Sequence, residues 1–262
     1  MRDIIDLDNY PIDQPESAAY AALVERCKAE LARDGMYNLP GFVRPEATER
    51  AVREVEPVMA AESFTHERAH NIYFEPEIPG LAADHPALRL CTTVNHTLCA
   101  DQLAESVVLQ VYAYPPLMRL LADTLEIERL YLMDDPLARV NVMAYREGEA
   151  LNWHFDRSNF TVILPLQVPE AGGAFEYRSG LRSDADPNYE GVAKLLRGED
   201  PHVQSLRITP GTLNLFRGKN TAHRVTPVEG RRERLVAVFS YYERPGVVFS
   251  EAERVGFYGR AA

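Results

Sequence analysis

Between Arg139 and Tyr242 the chain passes through a succession of short β-prone runs, and this half of the sequence limits the fold more than any other feature. Arg139–Arg146 alternates as a strand does, and Phe160–Gln167 is rich in β-branched and aliphatic residues. Gly173–Arg178 follows an Ala171-Gly172-Gly173 turn, and Gly211–Phe216 follows Pro210-Gly211. Arg234–Tyr242, containing Leu-Val-Ala-Val-Phe-Ser-Tyr-Tyr, is the longest run. Several short strands in sequence bury their apolar faces only by pairing into a sandwich or a barrel.

The first half reads differently. Ser17–Asp34 carries Ala21, Leu23, Val24, Cys27 and Leu31 at helical spacing, with Gly35 as the stop. Met36–Phe42 reads as a short strand entering a turn, and Pro45–Ala61 as a second helix with Glu46, Glu49, Arg50 and Arg53 on its wet side. Glu62–Asp84 is polar and broken by Pro76 and Pro79, so it is expected to be a loop. Helices are expected over about Leu88–Ala104 and Pro116–Leu125, the latter with Leu117, Leu120, Leu121 and Leu125 on one face. A polar insertion, Ser179–Ser205, holds a short helical stretch at Tyr189–Leu196 and reads equally as a lid or as a surface decoration. No low-complexity linker divides the 262 residues, so one domain is expected over 1–262. Its parts would be a mainly helical 1–138, a β core at 139–246 that includes the insertion 179–205, and a tail at 247–262.

A formal charge of −11 argues against a nucleic-acid surface. Cys27, Cys91 and Cys99 are odd in number and widely spaced, which suits neither a zinc site nor a disulfide framework. The start, Met1-Arg2-Asp3-Ile4-Ile5-Asp6, carries acids where a secretory leader needs a basic and then an apolar stretch. No apolar run approaches the roughly 20 residues that span a bilayer. A cytoplasmic protein with no membrane partner is therefore expected.

His154-Phe155-Asp156 ends one strand-like run and is answered by His223 in Thr221-Ala222-His223-Arg224-Val225. In extended backbone, residues i and i+2 point to the same side, so His154 and Asp156 can reach one metal while Phe155 points away. Two imidazoles and a carboxylate form the ligand set of a non-haem iron(II) centre, which leaves about three of six coordination positions open. His-x-Asp alone is a weak pattern. Its weight comes from context: the strand pattern at Phe160–Leu164, the strand and turn that precede His223, and Arg234 eleven residues after it, at the start of the last strong strand.

With these pieces in order, the segment from about Arg139 to Tyr242 resembles the iron(II)- and 2-oxoglutarate-dependent oxygenases. The resemblance rests on Asn152-Trp153-His154-Phe155-Asp156, Gly172-Gly173-Ala174-Phe175-Glu176-Tyr177, Pro210-Gly211-Thr212-Leu213-Asn214-Leu215-Phe216 and His223-Arg224-Val225-Thr226-Pro227-Val228. It implies an α+β protein with a mainly β core, a double-stranded β-helix (jelly roll) with the N-terminal helices packed on it. It implies iron ligands at His154, Asp156 and His223, with 2-oxoglutarate and dioxygen as co-substrates. It also implies a basic residue on the strand after the second histidine for the far carboxylate of 2-oxoglutarate. Arg234 best matches that position, and a guanidinium suits a carboxylate. Arg231 and Arg232 precede the strand and read as a charged turn, whereas Tyr145 is a further candidate for contact with 2-oxoglutarate.

A narrower resemblance, carried by Asn152–Ser158 and Ser240–Gly246, is to the group of radical halogenases of free amino acids and their hydroxylating relatives. Those halogenases lack the carboxylate ligand, and Asp156 fills its position here, which implies hydroxylation of an unactivated C–H bond. The implied substrate is a small polar molecule, a free amino acid such as a lysine-like one. Candidate substrate-binding residues are Arg68, His70 and Asn71 of His66–Tyr73, together with Arg157; Asp134, Asp135 and Glu147 could meet a cationic group. Trp153 points away from the metal pair and is expected in packing, and Phe257-Tyr258 either folds over the pocket or belongs to a docked tail. Alternatives are the same machinery on another natural-product intermediate and a jelly-roll binding protein without turnover. A homodimer is compatible with all of these readings.

Overall fold

The structure is a computed structural model that describes residues 1–262. Ser17 opens helix α1 (Ala18–Asp34): its hydroxyl accepts the Tyr20 N–H, one of the donors a helix start leaves free. Gly35 closes it in the left-handed region at φ 74°, which a residue without Cβ adopts at low cost. The chain continues through β1 (Met36–Leu39), α2 (Pro45–Glu62), β2 (Phe64–His70), β3 (Cys91–Cys99), α3 (Val107–Tyr112), α4 (Pro115–Leu125) and β4 (Tyr131–Leu132). The second half holds β5 (Val140–Tyr145), β6 (Leu151–His154), β7 (Thr161–Gln167), β8 (Ala171–Gly172), β9 (Phe175–Arg178), α5 (Tyr189–Leu196) and β10 (Gln204–Leu206). It ends with β11 (Leu213–Phe216), β12 (Ala222–Val225), β13 (Val228–Glu229), β14 (Arg234–Phe239), β15 (Tyr241–Tyr242) and α6 (Glu251–Tyr258).

The main strands form a seven-stranded sheet in the order β1-β11-β7-β14-β5-β3-β2 and a four-stranded sheet in the order β10-β9-β12-β6. Their pairings are antiparallel. From β5 onward the chain winds back and forth between the two sheets, which is the expected jelly roll, with neither sheet closed into a barrel. Strand alternation then sorts the core. On β14, Leu235, Ala237 and Phe239 join residues of α1 to α4 in the main apolar cluster, whereas Val236 belongs to a smaller cluster with Phe175, Val225 and Val228 of the small sheet and its turns. The helices thus cover one face of the large sheet, and the small sheet covers the other.

Two expectations for the first half fail. Glu62–Asp84 is not a loop throughout, because β2 forms the outer strand of the large sheet, paired from Phe64↔Thr97 to His70↔Cys91. Its inward residues, Phe64, His66, Arg68 and His70, are mostly polar, so the usual apolar alternation is missing. Leu88–Ala104 is not a helix but β3, flanked by single turns of 3-10 helix. Cys91, Val94 and Leu98 imitate helical spacing by accident, while Thr92, Thr93, Val94 and Thr97 carry the β-branched content of a strand. The region 1–138 is therefore less helical than expected. The long run Arg234–Tyr242 is also split at Ser240, after which β15 pairs with β4.

The insertion packs Leu181, Val192 and Leu195 against Phe155 and Ala222. These alternate with His154 and His223, so the insertion buttresses the back of the small sheet. The tail ends in α6, with Tyr258 buried and its hydroxyl donating to Asn141 Oδ1 at 2.9 Å. No helix is long and apolar enough to cross a membrane.

Asp135 anchors this tail from a fully buried position. Its oxygens accept the N–H groups of Leu137, Ala138 and Phe249, each at 2.9 Å, and Arg254 Nε at 2.8 Å. Burial pushes the carboxyl up, but these donors outweigh it and hold the group below the ordinary carboxylate value. Asp135 is thus committed to structure and has no capacity left for a substrate amine. Asp135→Ala should lower the unfolding free energy by about 3 kcal/mol or more, the scale for removing one partner of a buried pair. Urea titration measures this.

Candidate metal centre

His154 closes β6 and lies directly opposite His223 of β12. Asp156 stands two residues beyond β6, with its N–H donating to Gly218 O at 3.1 Å. Both histidines are buried, with ring centroids 4.1 Å apart. One ligand atom from each of His154, Asp156 and His223 lies within 4.8 Å of the others. Asp156 Oδ1 is 3.3 Å from His154 Nε2 and 3.5 Å from His223 Nε2.

The proton positions suit a metal. His154 Nδ1 lies 2.8 Å from Asn152 O, and His223 Nδ1 lies 2.9 Å from Thr221 O. A carbonyl only accepts, so each Nδ1 carries a hydrogen, which leaves Nε2 as the ring nitrogen turned to the cluster and able to take a metal. The second oxygen of Asp156 accepts the Thr161 hydroxyl. Gly218 leaves the space this carboxylate needs, because a Cβ there would run into Asp156 Oδ2. These donors, two imidazoles and an ordered carboxylate, fit a divalent metal of the iron type.

Electrostatics point the same way. Burial alone would raise the Asp156 pKa, but the charge of His223 and the hydrogen bond and charge of His154 outweigh it and hold the group well below its ordinary value. Burial, followed by the charge of His154, lowers His223 to about 4. At neutral pH the carboxylate is ionised and His223 is neutral, the forms that bind a metal.

Arg234 begins β14 opposite Tyr145 of β5, and Tyr145 shares the face turned toward the small sheet. Arg234 is 7% exposed, and its guanidinium lies 5.6 Å from the Tyr145 ring centroid with no carboxylate partner. Burial lowers its pKa. Burial also pushes Tyr145 up to about 12, and its hydroxyl meets nothing better than Met143 Sδ at 3.9 Å. A guanidinium on a nearly buried residue with no acid partner is able to meet an anion. Arg232 instead donates to Pro169 O at 3.4 Å. Arg224 turns to the back of the small sheet, paired with Glu176 at 2.7 Å and lying over half-buried Trp153.

The other candidates separate. Arg68 faces inward from β2, 4.9 Å from the Phe74 ring centroid and without a carboxylate partner. His70 stacks on Phe74 and meets the edge of His154, but its nitrogens are committed to Asn71 O and Thr93 Oγ1. The Asn71 side chain is spent on the backbone of Tyr73 and Glu75. Arg157 points away, its side chain 68% exposed and 3.5 Å from Glu253 of α6. Thr161 and Gly218, which shape Asp156, are not singled out by the sequence; a threonine five residues downstream and a turn glycine carry no signal of their own.

A family model described as Halogenase D matches residues 19–247. Among solved structures, the non-haem α-ketoglutarate-dependent epimerase SnoN from nogalamycin biosynthesis is similar with a TM-score of 0.57 at 15% identity, over 85% of this chain and 83% of that one. HygX from Streptomyces hygroscopicus, solved with nickel, 2-oxoglutarate and hygromycin B, gives 0.56 at 13% identity over 82% and 86%. A prolyl-4-hydroxylase from Pseudomonas putida gives 0.51 at 15% identity over 82% and 97%. At these identities the likeness is one of fold. No curated protein matches the chain.

The buried imidazoles set a pH dependence for the metal-free protein. His223 falls from 6.5 to about 4 on folding, so the unfolded chain takes up its proton first. Its contribution to stability is whole above about 6.5 and is lost as the pH falls toward about 4. Burial lowers His66 and His70 too, which adds loss of the same sign. Urea unfolding of chelator-treated protein should show this decline, and His223→Asn should make it shallower.

Proposed function

The chain belongs to the Halogenase D family, and on that premise we propose that it is an iron(II)- and 2-oxoglutarate-dependent hydroxylase of a small substrate bearing a carboxylate, a free amino acid being the leading case. The observation that carries this reading is the filled carboxylate position: Asp156 is aimed into the histidine pair, and Gly218 is shaped around it. A halide would need that position, so chlorination is disfavoured in spite of the family description. Iron held by His154, Asp156 and His223, together with 2-oxoglutarate and dioxygen, supplies oxidative decarboxylation to succinate coupled to oxygen insertion into a C–H bond.

The chain's own residues bind and orient. Arg234 takes the far carboxylate of 2-oxoglutarate in a two-point contact, which relieves the cost of its buried charge, and Tyr145 flanks it. Arg68, inward-facing and free of an internal acid, takes the substrate carboxylate from its place over Phe74, whose ring in turn meets His154. His70 and Asn71 hold structure and do not touch the substrate, and Arg157 lies outside the pocket. Residues 1–262 act as one oxygenase domain in this reading, because the helices share their apolar cluster with the large sheet.

Anaerobic addition of iron(II) and then 2-oxoglutarate should give a visible charge-transfer band, and its absence would sink the oxygenase reading. Removing one partner of a buried charged pair costs about 2–5 kcal/mol, so Arg234→Ala should raise the 2-oxoglutarate KM at least ~10-fold. An unchanged KM would move the role to another residue.

Screening free amino acids for substrate-dependent succinate and a gain of one oxygen by mass spectrometry identifies the substrate. Asp156→Gly should lose that hydroxylation. Retained wild-type turnover in this variant would remove Asp156 from the ligand set.

A further inference from the structure

We infer that Thr93 is a positioning residue for His154, acting through Asn152 across the gap between the two sheets. The inference rests on the reading of His154 as a metal ligand.

β6, which carries His154, is the outermost strand of the small sheet. It pairs with β12 on one side, and that pairing is irregular between His223 and Val225. No strand lies on its other side, so its outward N–H groups need another acceptor. One is supplied by the large sheet: Asn152 N–H donates to Thr93 Oγ1 of β3 at 3.2 Å. The Asn152 side-chain amide donates to the same oxygen at 3.2 Å and to Thr92 O at 2.7 Å.

The polarity of this chain of bonds is determined throughout. Asn71 O can only accept, so His70 Nδ1, 3.0 Å away, carries the hydrogen. His70 Nε2 is then an acceptor and takes the Thr93 hydroxyl hydrogen at 2.9 Å. The two lone pairs of Thr93 are left for the two Asn152 donors. Asn152 O in turn accepts the His154 Nδ1–H at 2.8 Å, which fixes that ring's tautomer and plane. Thr93 is 4% exposed, so water cannot replace its hydroxyl without a rearrangement. Valine would keep the shape and leave the Asn152 N–H unpaired beside a metal ligand. The role is one of orientation, because Thr93 itself offers the cluster no free atom.

The test uses full-length protein and two readouts, hydrogen exchange at the Asn152 amide and titration with cobalt(II) alone. Thr93→Val should speed exchange at Asn152 and raise the cobalt Kd by about 10- to 100-fold, the usual cost of losing an outer partner of a ligand. Thr93→Ser, which keeps the hydroxyl, should restore both. Wild-type cobalt affinity in folded Thr93→Val, or a folded serine variant that fails to restore it, overturns the inference while leaving the metal centre intact. Failure of the wild-type protein to bind cobalt overturns the metal reading and the positioning role together. If Thr93→Val does not fold, Asn152→Ala removes only the side-chain bonds. It should weaken cobalt binding in the same direction by a smaller factor, and an unchanged Kd there also overturns the inference.

Discussion

The site depends on the register of two strands. His223 sits opposite His154, and both rings point into the space between the sheets because side chains along a strand alternate. A slip of one residue in either strand would send its imidazole to the back of the small sheet. Phe155, Ala222, Trp153 and Arg224 occupy that back face with the insertion. Burial of Phe155 and Ala222 against Leu181, Val192 and Leu195 therefore holds the histidines inward. Arg182 adds to this support by lying 3.9 Å from the Phe155 ring centroid and donating to Lys219 O at 2.7 Å.

The two faces of the large sheet divide the work. The helix-covered face is almost wholly apolar and carries the main core. The face turned toward the small sheet holds groups that folding alone would avoid: a guanidinium without an acid, a tyrosine hydroxyl with only a sulfur for a partner, and an inward arginine on the outer strand. Such groups cost stability unless a ligand meets them. These groups share the face that looks toward the small sheet, whose strands carry His154 and His223.

Legibility of the sequence follows the physics of each face. α1, α2, α4 and α5 are readable because their apolar residues recur at helical spacing, and the first three also carry Ser17, Gly35 or proline at their ends. In the β half, β5, β7, β11 and β14 are readable because they bury aliphatic residues, whereas β8, β10 and β13, two or three residues long, carry no such run. β2 and β3 are not readable either, since many of their inward residues are polar, and apolar periodicity reports only what is buried in a core. Among the pocket candidates, Arg68 is brought to the inner face. Asn71 and Arg157 are not available there, because local turn bonds absorb one and α6 draws away the other.

The sequence by itself determined that His154 and Asp156, two residues apart in extended backbone, face the same way; His223 and Arg234 were joined to them by the resemblance to the oxygenases. The pairing of His154 with Asp156 follows from strand geometry, which is local. Only the tertiary structure decided that Thr93 serves Asn152, since the two are 59 residues apart in the chain and meet because β3 and β6 face each other across the sheets. It likewise decided that Gly218 is matched to Asp156 and that the insertion lies behind the site. Such pairings depend on which distant strands become neighbours, and that is set by the packing of the whole chain, which no local spacing encodes.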